Sequence, residues 1–350
     1  MREIDDFYKL ADEAFDNGDY EKAIEYYDKL IFYNGDNAEI YNCRGLAKNK
    51  LGKYKAALKD FNTALKLYNN NADIYYNKGL AEYEMGDYEK AIKDYTKSIK
   101  LDNTISDVYN NRGLCYGALG EFEKAIEDFT CAIKLNKNDA ELYYNRGLSK
   151  SNLEDYKNAL DDYDKAIEIN PKYSNAYNSR GNAKNELNYN EEDIIADYDK
   201  AIEIDNNIDA YYNKALYYNT NENYEKALNL YNKVLEIDEY YIEAYGNRAI
   251  VLYNLNKNEE AIKDCDKAIE LDSEYWLLYF NRAEIKLEVA QKNIDNFKKL
   301  NDEAFEDINK SYELALEDED NLNEFKDYVL ELANKNFEAA IKFCKEHKLL

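Results

Sequence analysis

Tyr75-Tyr-Asn-Lys-Gly79, followed by Tyr88-Glu-Lys-Ala91-Ile-Lys-Asp-Tyr95, is one copy of a pair of phrases whose recurrence decides the fold. The first phrase returns with its leading tyrosine at Tyr41, Tyr109, Tyr143, Tyr177, Tyr211, Tyr245 and Tyr279, every step being 34 residues. The second returns at fixed distance, as in Phe122-Glu-Lys-Ala125-Ile-Glu-Asp-Phe129. A constant period of this length describes a tandem array rather than a globular domain. Ala91, Ile92, Tyr95 and Ile99 recur at helical spacing. A repeat this short cannot bury a core by itself, so the copies must stack on one another. Length alone, 350 residues, favours two globular domains, but one continuous array accounts better for the period.

Nine copies are counted, beginning at residues 4, 38, 72, 106, 140, 174, 208, 242 and 276. Counted from each start, position 8 holds Gly45, Gly79, Gly113, Gly147 and Gly181, then Ala215, Ala249 and Ala283. Position 20 holds Ala23, Ala57, Ala91, Ala125, Ala159, Ala227, Ala261 and Ala304, and position 27 holds Ala64, Ala132, Ala166, Ala201 and Ala268. Antiparallel helices cross closely only where side chains are small. Large residues such as Tyr75 with Tyr95, or Tyr143 with Tyr163, fill the space on either side. In period, residue order and placement the chain resembles the tetratricopeptide repeat family over nearly its whole length. The resemblance implies an all-α fold, a right-handed superhelical solenoid of antiparallel helix pairs.

Residues 1–315 form the repeat array in this reading, and residues 316–350 an acidic connection, Glu317-Asp-Glu-Asp320, with a degenerate helix pair. Phe337-Glu-Ala-Ala-Ile341 echoes the second-helix phrase, and the pair caps the array. Gly18, Gly86 and Gly120 stand where a helix must end in left-handed backbone. Two places break the register. Leu187 to Ile195 carries one extra turn residue, which puts Ile194 at position 20, and the loop after Asp205 is one shorter. Repeat 9 is longer between Leu287 and Asn301, which is expected to extend its first helix.

Lys plus Arg number 46 against 72 Asp plus Glu, a net charge of −26. Such a chain repels nucleic acid and anionic membrane surfaces. The N-terminus lacks the apolar core of a signal peptide, and no stretch approaches a membrane span, so a soluble, cytoplasmic chain is expected. Cys43, Cys115, Cys131, Cys265 and Cys344 show no short paired spacing, which argues against disulfides and metal. His347, the one histidine, stands three residues from the end, where a general base is poorly held. No enzyme activity, catalytic residue, metal or cofactor is expected.

Function is therefore sought on exposed faces. Positions 2, 5, 6 and 9 share one side of each first helix, and the family resemblance implies that this side lines the concave groove. Position 6 reads Asn77, Asn111, Asn145, Asn213, Asn247 and Asn281; amides pair with the backbone of an extended peptide without demanding a sequence, and the resemblance implies such a clamp. Position 5 adds Tyr76, Tyr144, Tyr212 and Phe280, large contact surfaces of low entropy cost. The leucines at position 9, Leu46, Leu80, Leu114, Leu148 and Leu216, are read as packing between neighbouring first helices. Position 2 carries Asp5, Glu39, Asp73, Asp107, Glu141, Asp209 and Glu243, favoured at a helix start by its dipole and also a source of negative potential in the groove. Family members that clamp acidic chaperone tails place lysines and arginines in the groove, so that ligand is not expected here.

Position 7 is basic, as in Arg44, Lys78, Arg112, Arg146, Arg248 and Arg282, and position 23 acidic, as in Asp60, Asp94, Asp128, Asp162, Asp264 and Asp307. This predicts a ladder of structural ion pairs. The expectation is a non-catalytic scaffold or adaptor that binds a protein or peptide, a basic or neutral extended segment, through Asn77, Asn111, Asn145, Asn213, Asn247, Asn281, Tyr76, Tyr144, Tyr212, Phe280, Asp73, Asp107 and Glu141. Self-assembly into a homo-oligomer and a regulatory array within a larger complex stay open as alternatives.

Overall fold

The computed structural model describes residues 2–292 and 296–349, and no strand occurs among them. Two compact units divide at the turn inside repeat 6, Met1–Asn190 and Glu191–Leu350. The first contains α1 (Arg2–Asp16), α2 (Tyr20–Tyr33), α3 (Ala38–Lys50), α4 (Tyr54–Leu67), α5 (Ala72–Glu84), α6 (Tyr88–Leu101), α7 (Ser106–Ala118), α8 (Phe122–Leu135), α9 (Ala140–Asn152), α10 (Tyr156–Ile169) and α11 (Ser174–Glu186). The second contains α12 (Glu191–Asp205), α13 (Ile208–Thr220), α14 (Tyr224–Ile237), α15 (Ile242–Asn254), α16 (Asn258–Leu271), α17 (Trp276–Lys292), α18 (Phe297–Ala315), α19 (Glu319–Asn334) and α20 (Glu338–Glu346). Within each unit consecutive helices pair, as the two phrases of a repeat require.

The first helices of repeats 1 to 8 stop in the same way. Gly86 donates its N–H to the Tyr83 carbonyl at 2.8 Å and Asp87 to that of Glu82 at 2.9 Å, the bonding that closes a helix on a left-handed residue. Left-handed backbone recurs at Gly18, Gly52, Gly86 and Gly120, and then at Glu154, Asn188, Glu222 and Asn256. The 34-residue period is thus written into the backbone even where glycine is lost.

The alanines at positions 20 and 27 are fully buried. Glycine at position 8 has a more specific task than general closeness. A Cβ added at Gly79 would lie 2.6 Å from Tyr95 Cε1, and one at Gly147 2.7 Å from Tyr163 Cε1. The position-24 ring of the partner helix lies directly on the glycine. Tyr95 in turn faces the ring of Tyr76, at 6.0 Å, and Tyr163 that of Tyr144, at 6.1 Å.

The ion-pair ladder is present and does more than expected. Arg44, Arg112, Arg146, Arg248 and Arg282 each grip the position-23 aspartate of their own repeat with two nitrogens, for Arg112 at 2.7 and 2.6 Å from Asp128. Their third nitrogen reaches the second helix of the preceding repeat: Asp28 for Arg44, Thr96 for Arg112, Thr130 for Arg146, Asn232 for Arg248 and Asp266 for Arg282. One guanidinium therefore ties three helices and lies over the ring of the tyrosine three residues before it, as in Arg146 over Tyr143 at 5.7 Å.

In repeat 6 the turn holds the extra residue, Ile194 occupies the alanine site at 1% exposure, and left-handed Asn206 starts a shortened connection to α13. The expected extension of the first helix in repeat 9 is only part of what occurs. α17 has 17 residues where α15 has 13, but α18 has 19 where α16 has 14, so both helices lengthen. Residues 293–295, within the stretch assigned to that extension, lie outside the described residues. The acidic connection is also shorter than expected. Asp318 accepts the Asn321 N–H at 2.9 Å as a cap, and Glu319 and Asp320 form the first turn of α19, where carboxylates complement the exposed N–H groups. Phe325, Val329, Phe337, Ala339, Ala340 and Phe343 of the last helix pair are buried in one core with Trp276, Phe280 and Ile308.

Candidate functional site on the first-helix faces

The first helices α3, α5, α9 and α13 start with a side-chain cap and an acid. Asn37 accepts the Glu39 N–H at 2.9 Å, Asn71 that of Ile74 at 3.1 Å and Asp139 that of Glu141 at 3.0 Å. The next side chain points to solvent: Glu39, Asp73, Asp107, Glu141, Asp209 and Glu243 are all exposed. Asp5 belongs to the same series, but its side chain lies outside the described residues.

The asparagines one turn further along are not a row of free amides. Asn77 donates to Asn42 Oδ1 at 3.0 Å, Asn111 to the Tyr76 hydroxyl at 3.2 Å, Asn145 to Asn110 Oδ1 at 3.3 Å, and Asn247 to the Tyr212 hydroxyl at 2.7 Å. Every rung joins position 6 of one repeat to position 5 of the repeat before it, 35 residues back. Asn77 and Asn145 are 7% and 8% exposed. The premise that these amides sit on a free surface is corrected: one amide hydrogen of each already stitches neighbouring first helices together.

The position-5 rings share this double use. Tyr76, Tyr144 and Tyr212 are half-buried, and Phe280 is 3% exposed and belongs to the core. Tyr144 stands 4.9 Å from Tyr173 and Tyr212 stacks at 5.2 Å on Tyr241, so the face carries paired rings. Leu46 and Leu80 pack on the core, while Leu216 is 39% exposed. The alternation of tyrosine and asparagine at position 5 was the available clue to the rungs, because both side chains accept a hydrogen bond.

In the first unit a cavity of about 630 Å³ opens beside this face, lined by Asp36, Glu39, Asn42, Tyr68, Asn71 and Asp73 among others, with no lysine or arginine in its lining. Three carboxylates, several amides and a half-exposed tyrosine ring make a surface that attracts cations. The arginines lie behind it, spent on the helix staples.

Burial pushes the thiols of Cys115 and Cys265 up to about 12, which keeps them protonated and poorly nucleophilic. Among the described residues no group of three or more His, Cys, Asp and Glu side chains is placed to hold a metal ion, and no helix is long and apolar enough to cross a membrane.

A family model described as Tetratricopeptide repeat matches residues 72–104, 106–139, 140–173 and 242–275, a second of the same description residues 8–72, and a third residues 208–241. Together they cover more than half of the chain. No curated protein sequence matches it. Among solved structures, the C-terminal part of a TPR repeat-containing protein from Cytophaga hutchinsonii is similar at 25% identity and TM-score 0.56, covering 69% of this chain and 98% of that one. A tetratricopeptide repeat protein from Parabacteroides merdae is similar at 18% identity and TM-score 0.57, covering 72% of this chain and 100% of its own. YrrB, described as a TPR protein with an unusual peptide-binding site, is 23% identical at TM-score 0.48 and covers 54% of this chain and 97% of that one.

Proposed function

Because the chain belongs to the tetratricopeptide repeat family and is by that membership a protein-interaction scaffold, we propose that its first-helix faces bind an extended, basic or neutral segment of another protein, making it a non-catalytic adaptor. The observation that carries this reading is the run of exposed carboxylates Asp73, Asp107 and Glu141 at one place in successive repeats, the first of them lining a cavity without a basic residue. Charges of one sign along one face focus potential on whatever approaches. The segment's backbone would meet the amide side chains of Asn77, Asn111, Asn145, Asn213, Asn247 and Asn281, and its side chains the rings of Tyr76, Tyr144 and Tyr212.

Affinity capture with mass spectrometry, run on the wild type and on Asp73→Asn/Asp107→Asn/Glu141→Gln, tests the reading. The partner is expected to present a Lys- or Arg-rich or neutral segment, to be lost from the triple variant, and to associate more slowly as salt shortens the screening length to ~8 Å. The variant's melting temperature should barely move, since exposed charges contribute little to folding. An acidic binding segment, or an association rate indifferent to salt, refutes the proposal. Capture of the chain by itself alone would replace it with self-assembly.

A further inference from the structure

The last helix pair does more than cover an open end. Phe325 and Val329 of α19 are fully buried, and Phe325 packs on Trp276 at 6.2 Å and Phe280 at 5.8 Å. Tyr328, Glu331 and Lys335 lie on a neighbouring stripe of the same helix, at spacings of three, four and seven residues. Between this stripe and the first helices of repeats 8 and 9 lies a cavity of about 300 Å³. Its apolar wall is Ile250, Leu277, Phe280 and Tyr328, and its carboxylates are Glu284 and Glu331. The stitching of the first helices skips this place. The rung that would engage Asn281 needs an acceptor at position 5 of the preceding repeat, and that residue is Gly246, which has no side chain. Asn281 lines the cavity instead.

We propose that this cavity is the receptor for one arginine side chain of the bound segment. The proposal rests on the reading that the chain binds an extended, basic segment, and adds where that segment is anchored and by which residue. The cavity already displays its chemistry with a group of the chain's own. Lys335 Nζ sits 3.0 Å from Glu331 and 3.5 Å from Glu284, so carboxylates from two helices converge on one cationic point. Glu288 adds to the negative potential at Glu284 and Glu324 to that at Tyr328. Burial pushes the Glu284 carboxyl up, and Lys335 only opposes this. A second cation would relieve that cost.

Arginine fits better than lysine. Its fork of donors can serve two carboxylates at once, its plane can stack on the exposed ring of Tyr328, and its stem can lie along Ile250 and Leu277.

The chain supplies its own reporter. Trp276 is the sole tryptophan, is 5% exposed, and stands 6.5 Å from Phe280 and 6.2 Å from Tyr328. The probe is a fluorescein-labelled peptide, Gly-Ser-Lys-Ser-Gly-Arg-Gly-Ser-Lys-Ser, with a twin carrying lysine in place of the arginine. Anisotropy gives affinity, and Trp276 emission, recorded with unlabelled peptide, gives occupancy of the cavity. Ile250→Phe fills the cavity without changing charge, and Glu331→Gln removes one carboxylate; both are checked for a wild-type melting curve. Each is expected to weaken the arginine peptide ~10-fold and to abolish the Trp276 response, while the lysine twin binds the wild type less tightly than the arginine peptide and Ile250→Phe equally. The triple variant of Asp73, Asp107 and Glu141 should keep the Trp276 response at saturation. Peptide that binds the wild type with unchanged Trp276 emission, or both cavity variants with wild-type affinity, overturns the arginine receptor and leaves segment binding standing. Equal affinity of the two peptides for the wild type overturns the choice of arginine, and no binding of either peptide overturns both readings.

Discussion

Two glycines one turn apart in α7 should respond oppositely to the same substitution. Alanine in place of glycine gains ~1 kcal/mol of helix propensity at either site. At Gly117 a Cβ meets nothing within 4 Å, so Gly117→Ala should keep that gain. At Gly113 the same atom would sit 2.9 Å from Phe129 Cε1 and 3.1 Å from Cδ1 and Cζ, against a ring only 1% exposed with no room to retreat. Overpacking of this kind costs ~1–3 kcal/mol. Since the propensity term is common to both variants, the difference between them isolates the overpacking cost, and Gly113→Leu should deepen it to several kcal/mol. Urea unfolding followed by far-ultraviolet circular dichroism measures the difference. Hydrogen exchange over α7 and α8 localises it, because an array need not unfold as one unit. If Gly113→Ala is as stable as Gly117→Ala, the second-helix ring does not rest on the position-8 glycine, and the account of how these helices pack is wrong.

Glu82 stands where repeats 2, 5, 6 and 9 have Lys48, Lys150, Lys184 and Lys286. It is 3% exposed and shares Lys78 with Asp94, at 3.2 and 2.5 Å. Burial first, and then the neighbouring Asp94, push its carboxyl up to about 7. A folded value above the unfolded one means that its stabilisation is complete below ~4.3 and lost as pH rises through about 7. Thermal melts from acid to mildly alkaline pH should therefore show Glu82→Gln gaining on the wild type as pH rises, and parallel curves would refute the assignment. A second comparison uses the staples: Arg112→Gln leaves Asp128, to which Arg112 alone is bonded among the described residues, without a cation, whereas after Arg146→Gln Asp162 keeps Lys150 at 2.7 Å. Chemical denaturation should show the larger loss, up to ~3 kcal/mol, for Arg112→Gln, and equal losses would mean that Lys150 does not hold Asp162.

Most of the helical architecture was legible because its causes are local and repeated. The 34-residue step, the alanines at positions 20 and 27, the glycines of the turns and the pairing of position 7 with position 23 each follow from contacts within one repeat, so each appears in the sequence many times over. Even the extra residue before Ile194 was readable as a slip against that period. Position 2 was read correctly as exposed for the same reason, since a helix start is a local feature.

What the sequence could not decide were contacts between repeats and contacts made once. Asn111 and Tyr76 are 35 residues apart and look like two independent surface residues until adjacent first helices are laid side by side, when one becomes the donor and the other the acceptor. The third nitrogen of each arginine, Glu82 sharing a lysine with Asp94, and Lys335 bridging Glu284 and Glu331 depend in the same way on distances across a packed interface. No periodicity announces them. The length and charge of this chain, its helices and the residues at each helix start were determined by the sequence, because a hydrogen-bonded turn and an apolar stripe are properties of neighbours along the chain. Which amides remain available, which carboxylates share a cation and where a cavity opens were decided by the tertiary structure, because those depend on which side chains the stacking of helices brings within about 3 Å, the reach of a hydrogen bond.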